Sequence, residues 1–139
     1  MKAIKSFKGQ NYFLSNFYPC AIEYEGQTFP SLECAYQAAK TPNRDVRYYF
    51  TIMDNSMEAR MWGNKIAMRP DWDRVKYSIM YELLKIKFNN PKLRALLLAT
   101  EDAQLEESNM HGDKYWGTVN GHGENNLGKL LMQIREEIR

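Results

Sequence analysis

The chain has 139 residues, 44% of them hydrophobic and 26% charged, with a net charge of +2. That length predicts one domain, 1–139, able to bury a core without disulfide staples. The charge is too small for a dedicated nucleic-acid binder, whose affinity rests on many phosphate contacts, but it admits a small phosphorylated ligand. Two cysteines outside any CxxC pair, no apolar leader in MKAIKSFKGQ and no run of membrane-span length make a reducing cytoplasm the expected location.

Residues 21–26, AIEYEG, alternate apolar and polar and turn at Gly26. Gln27 to Phe29 can return beside them, which predicts a small hairpin. Ser31 is placed to cap a helix from Leu32 to about Lys40, stopped by Pro42. A second helix is predicted over Arg44 to Met53, and a third after Ser56 through Ala67, ending before Pro70. Trp72, Val75, Ile79, Leu83 and Ile86 recur at helical steps and form one apolar stripe of a fourth. Lys85, Lys87, Lys92 and Arg94, with no acid among them, read as a solvated helix face. Asn90 caps and Pro91 opens a fifth helix, with Leu93, Leu96 and Leu97 inward. Leu127, Leu130, Leu131, Ile134 and Ile138 mark the last, capped by Asn125 or Asn126, with Gly128 leaving room for close backbone approach. The sum is an α+β fold, mostly helical, with a small antiparallel sheet near the N-terminus.

Chemistry-bearing residues gather in three places. The stretch HGDKYWGTVNGHGENNLG, His111 to Gly128, holds five of eight glycines and both histidines. It lacks the GxGxxG and GK[ST] patterns of nucleotide loops, and its histidines lack metal-ligand spacing. Free N–H groups where it enters the helix near Asn126 would suit an anion or simply be capped. In the helix SLECAYQAAK, Glu33, Gln37 and Lys40 share one face at i, i+4 and i+7. That stripe is either the wet side of the helix or a pocket lining, in which carboxylate, amide and ammonium would meet a ribose phosphate. Upstream, YFLSNFYP carries Asn16 and Phe17, a packed aromatic segment or a wall for a flat base.

FLSNFYPCAIEYEGQTFPSLECAYQAAK and, far downstream, GDKYWGTVNGHGENNLGKLLMQIR resemble the NADAR superfamily, YbiA-like N-glycosidases included. The matching features are SNF…P, the S-x-E-x-x-x-Q-x-x-K helix, Asp71-Trp72, Lys87-Phe88, Leu97 to Thr100, and the D-x-x-W-G…N-x-L-G ending. They keep their order over nearly the whole chain. One departure stands beside the helix glutamate, where members often have His and this chain has Cys34, so substrate choice is expected to differ.

The resemblance implies a hydrolase that uses neither metal nor cofactor and cuts a bond between ribose C1′ and nitrogen. The first substrate class it implies is the ribosylamino-pyrimidine 5′-phosphates of riboflavin synthesis. The alternative is ADP-ribose carried on guanine bases, with nucleic acid entering only as substrate. A non-catalytic NAD or ADP-ribose module is a third reading. Cleavage develops positive charge on the ribose, as in two-carboxylate glycosidases. Glu33 is then expected to stabilise that cation or activate water, with Asp113 as a second carboxylate. Trp116, Trp72 and Phe17 would stack on the base. Lys40 would hold phosphate, and Gln37, Asn16 and Asn126 would fix hydroxyls or base edges. The 111–128 loop is expected to be a mobile wall of the pocket.

Overall fold

The computed structural model describes residues 2–139. In chain order the elements are β1 (Ala3–Ile4), a 3-10 turn (Gly9–Leu14), β2 (Pro19–Tyr24), β3 (Gln27–Ser31), α1 (Leu32–Ala38), α2 (Arg44–Thr51), α3 (Ser56–Gly63), α4 (Trp72–Phe88), α5 (Pro91–Leu98), β4 (Gln104–Leu105) and α6 (Asn126–Glu137). The expected mixed, mostly helical fold is present. Two compact units divide it: Asn16–Lys87, and Met1–Ser15 with Phe88–Arg139. Among the described residues no helix is long and apolar enough to cross a membrane.

In the unit Asn16–Lys87, β2 and β3 form the expected antiparallel hairpin, with Ile22 opposite Phe29 and Tyr24 opposite Gln27. Glu25 and Gly26 both have positive φ, 48° and 84°, the pattern of a tight hairpin turn whose twist matches its strands. Arginines from α2 clamp that turn. Arg44 Nη1 donates to the Glu25 carbonyl at 2.8 Å, and Arg47 Nη1 meets Glu25 Oε1 at 2.7 Å. The strands' inward side chains, Ile22, Tyr24 and Phe29, are buried, each contributing about 2 kcal/mol by leaving water.

Ser31 ends β3 and caps α1, its Oγ accepting from the Cys34 N–H at 3.2 Å. Every residue of α1 is buried, so this helix is the core of its unit. α2 and α3 pack against it. α3 turns Ser56, Ala59 and Gly63 inward, one face at steps of three and four. Its cap is Asn55, whose Oδ1 accepts from the Glu58 N–H; the Ser56 hydroxyl instead pairs with the Ser31 hydroxyl at 2.8 Å. α3 ends at Gly63 rather than Ala67, because the amides of Lys65 and Ile66 fold back onto the Trp62 carbonyl and close it. The α4 stripe is inward as expected, with Trp72, Ile79 and Leu83 buried. Lys87 departs from the solvated face predicted for it: it is 1% exposed, its ammonium 5.7 Å from the Tyr18 ring centroid.

In the other unit, β1 and β4 pair in parallel, Ala3 with Gln104 and Ile4 with Leu105, a contact no local pattern announced. Asn90 Oδ1 caps α5 by accepting from Lys92 and Leu93. α6 buries Leu127, Leu130, Leu131 and Ile134 and lies on β4. Gly128 makes that approach possible, since a Cβ there would overlap the Leu105 carbonyl oxygen. Asn125 takes a left-handed conformation, φ 52° and ψ 42°. Rather than capping, its side chain bridges to the strand, accepting from the Glu107 N–H and donating to the Leu105 carbonyl, both at 2.9 Å.

Candidate active site

Glu33, Gln37 and Lys40 are 8%, 5% and 8% exposed. The wet-side reading of this stripe is therefore excluded: three polar side chains lie buried along the central helix of their unit. Burying them unpaired would be costly, and the local sequence supplies partners. Gln37 Nε2 donates to Glu33 Oε2 at 2.6 Å across one turn. An ionised carboxylate only accepts, so the amide nitrogen faces it and the amide oxygen points elsewhere. Lys40 Nζ donates to the Gly63 carbonyl at 3.3 Å, a cation at the C-terminal end of α3, where the helix dipole favours it.

Asn16 joins this group through its backbone. Its carbonyl accepts from the Glu33 N–H at 3.0 Å, which fixes the entry of the aromatic segment against the first turn of α1. Its side-chain Nδ2 contacts Met80 Sδ at 3.6 Å. Among the described residues, Asn16 Oδ1 and Gln37 Oε1 are buried acceptors without a donor. Leaving such an acceptor unmatched costs about 1–3 kcal/mol, so two of them on segments that meet at the first turn of α1 suit a ligand rich in N–H and O–H groups. Phe17 lies next to them, with the Arg60 guanidinium 4.7 Å from its ring centroid and its carbonyl accepting from the Ser56 hydroxyl. Trp72 is 4% exposed and tilts against Tyr36 at 5.1 Å, so its ring braces α1 through that tyrosine.

Burial, then the Lys76 charge, pulls the Lys40 ammonium below its ordinary range, while Glu33 acts in the opposite direction. Sequence reasoning missed Lys76, which is five residues into α4 and carries no motif. It also missed Gly63. The signal was available: a glycine inside a predicted helix costs about 1 kcal/mol against alanine, which invites a packing reason. Cys34, at the position where the resemblance expects histidine, is fully buried, and burial raises its thiol. A neutral sulfur therefore packs where a basic ring was expected.

Asp113, Trp116 and Asn126 belong to the other unit. Asp113 Oδ1 accepts from the amides of Tyr115 and Trp116, at 3.0 and 2.9 Å. Asn109 clasps the same loop, Nδ2 donating to the Asp113 carbonyl at 2.8 Å and Oδ1 accepting from the Asp113 N–H at 3.0 Å. Trp116 is half-buried, edge-on to Tyr115 at 4.8 Å. The stretch is thus stitched to itself rather than a slack wall. The free N–H groups expected at the start of α6 are engaged too. Asn126 and Leu127 donate to the carbonyls of Tyr115 and Trp116, at 3.1 and 2.9 Å. Those amides cap the helix with the loop's own backbone, which replaces the anion cradle considered from sequence.

The NADAR domain family model matches residues 4–139. N-glycosidase YbiA of Shigella boydii is 40% identical over 128 residues, covering 89% of this chain and 79% of that protein. Riboflavin biosynthesis protein VVA0006 of Vibrio vulnificus is 38% identical over 133 residues, 91% of this chain but 35% of that protein; the chain spans about a third of that relative. The NMR structure of Escherichia coli YbiA superposes with a TM-score of 0.84 at 35% identity, covering 99% of this chain and 86% of that one.

Proposed function

The chain belongs to the NADAR domain family and is a hydrolase of N-glycosyl bonds, and from that premise we propose that it cleaves the ribose C1′–N bond of ribosylamino-pyrimidine 5′-phosphates. The observation that carries the reading is the buried run Glu33–Gln37–Lys40 with its two unmatched acceptors. A relative named for riboflavin biosynthesis supports that substrate class.

In this reading the Glu33 carboxylate faces C1′. As the bond to nitrogen breaks, the departing nitrogen keeps the electron pair and takes up a proton, and the oxygen of water bonds to C1′. Glu33 stabilises the cationic ribose or removes the proton from that water. The Gln37 amide holds the carboxylate in one rotamer. The Asn16 amide oxygen accepts from sugar hydroxyls or amino groups on the pyrimidine. Lys40 meets the 5′-phosphate. Phe17 supplies aromatic surface for the base.

The alternative is ADP-ribose attached to guanine, which presents the same bond and sugar. The test offers the purified protein ribosylamino-pyrimidine 5′-phosphate and ADP-ribosylated guanine oligonucleotide in parallel, with released base followed by mass. Release from the first alone is expected. Release from the second alone moves the assignment to ADP-ribosyl hydrolysis. Release from neither, with NAD or ADP-ribose still bound, leaves a binding module.

A further inference from the structure

Gly63 is the last residue of α3, and its φ lies in the ordinary helical range rather than the left-handed region. The backbone therefore places no demand for glycine here, and alanine is the better helix former. The space does place one. A Cβ on Gly63 would overlap Oε1 of Gln37 and stand 2.6 Å from its Cδ and 3.0 Å from its Cβ. The same residue's carbonyl accepts from Lys40 Nζ at 3.3 Å. One residue of α3 thus touches both Gln37 of α1 and Lys40 just beyond its end.

We propose that Gly63 is a positioning residue for the N-glycosyl hydrolase reaction: by lacking a side chain it seats the Gln37 amide against Glu33, and its carbonyl anchors Lys40. The inference rests on Glu33 being the reacting carboxylate. Gln37 is 5% exposed, so its amide has one seat. The seat is bounded by Glu33 Oε2 on the nitrogen side, at 2.6 Å, and by the bare Cα of Gly63 on the oxygen side. Oε1 and Cδ, the two atoms a new methyl group overlaps, are the end of a flexible side chain, and Gln37 Cβ at 3.0 Å need give only a few tenths of an ångström. The helix can therefore keep its path while the amide swings away. That would break the hydrogen bond to Glu33 and displace the buried acceptor of this helix that has no donor. Glu33 would lose this hold on its rotamer without losing its charge.

A double-mutant cycle on the release of base from ribosylamino-pyrimidine 5′-phosphate tests this. Gly63→Ala and Gln37→Ala should each lower kcat by about tenfold or more, with KM changing less than kcat. The double variant should turn over no more slowly than Gln37→Ala alone, because the group that the methyl displaces is already gone. If Gly63→Ala does not fold, the comparison of Gln37→Ala with the double variant still decides, since truncation removes Oε1 and Cδ and leaves only Cβ, at 3.0 Å. Equal kcat supports positioning through Gln37. Multiplying losses, or wild-type kcat in a folded Gly63→Ala, overturns it. Glu33→Gln, measured alongside, separates the two ideas. If that variant stays active, the premise about Glu33 has failed; if it is inactive while Gly63→Ala is normal, only the positioning inference has.

Discussion

Gln37 Nε2 donates to Glu33 Oε2 at 2.6 Å, one turn apart on a helix that exposes neither residue. A short bond between an amide and a carboxylate in a dry setting is stronger than its surface counterpart. It fixes where the carboxylate points before any substrate arrives. Replacing Gln37 by glutamate puts two carboxylates in that space. The Gln37→Glu variant should lose on the order of 3 kcal/mol of stability at neutral pH and most of its turnover. Thermal unfolding at pH 7 and at pH 5 checks this, because protonation at the lower pH should return part of the loss.

Lys40 is assigned the 5′-phosphate. Lys40→Met keeps the apolar stem and removes the ammonium that donates to the Gly63 carbonyl. KM for ribosylamino-pyrimidine 5′-phosphate should rise about tenfold, worth roughly 1.4 kcal/mol, while KM for the dephosphorylated compound stays near its wild-type value. An equal rise for both would remove Lys40 from phosphate binding.

Asp113 separates loop building from chemistry in one substitution. Asparagine keeps an oxygen able to accept from the Tyr115 and Trp116 amides, and it removes the charge. Asp113→Asn should therefore melt like the wild type and lose about 10²-fold in kcat if the carboxylate takes part in proton transfer. A fully active Asp113→Asn would make this residue a loop clasp and nothing more.

Lys87 gives the fold a pH signature. Burial pushes its ammonium down from the ordinary 10.5 to about 8, with Cys20 opposing. Below that value both folded and unfolded chains hold the proton, and the cost of burying the charge is felt in full. Between about 8 and 10.5 the folded chain has released the proton that the unfolded chain keeps, so stability climbs with pH. Above that window both are neutral and the gain is complete. Lys87→Met should abolish this slope, and the difference between the two proteins in thermal unfolding across pH 7 to roughly 11 measures it.

Gly128 is a test of packing alone. A Cβ there would overlap the Leu105 carbonyl and stand 2.6 Å from Asn125 Oδ1. Backbone cannot swing aside as a side chain can, so Gly128→Ala should cost about 1–3 kcal/mol, read as a lowered Tm.

The pattern of what could be read from sequence follows from range. Ser31, Asn90 and Pro91 act within three residues, and each does what its position announces. The hairpin turn at Glu25–Gly26 is equally local. β1 and β4 are two residues each and about a hundred positions apart, so no periodicity betrays them. Asn125 has the composition of a cap but spends its side chain on Leu105 and Glu107, a choice made by tertiary contact. For the site, helical spacing put Glu33, Gln37 and Lys40 on one face but could not say whether that face was wet. That answer depends on α3 arriving with Gly63 against Gln37. Lys87 shows the converse error: charge alone suggested a solvated face, and the fold buried it under Tyr18.

The proposed reaction stands on Glu33 as the reacting carboxylate. Glu33→Gln keeps the side chain's shape and an oxygen for the Gln37 amide, and it removes the charge that a cationic ribose needs. With ribosylamino-pyrimidine 5′-phosphate as substrate and released base followed by mass, turnover should fall roughly 10²-fold or more while Tm stays close to wild type. Wild-type turnover in a folded Glu33→Gln would remove Glu33 from the chemistry.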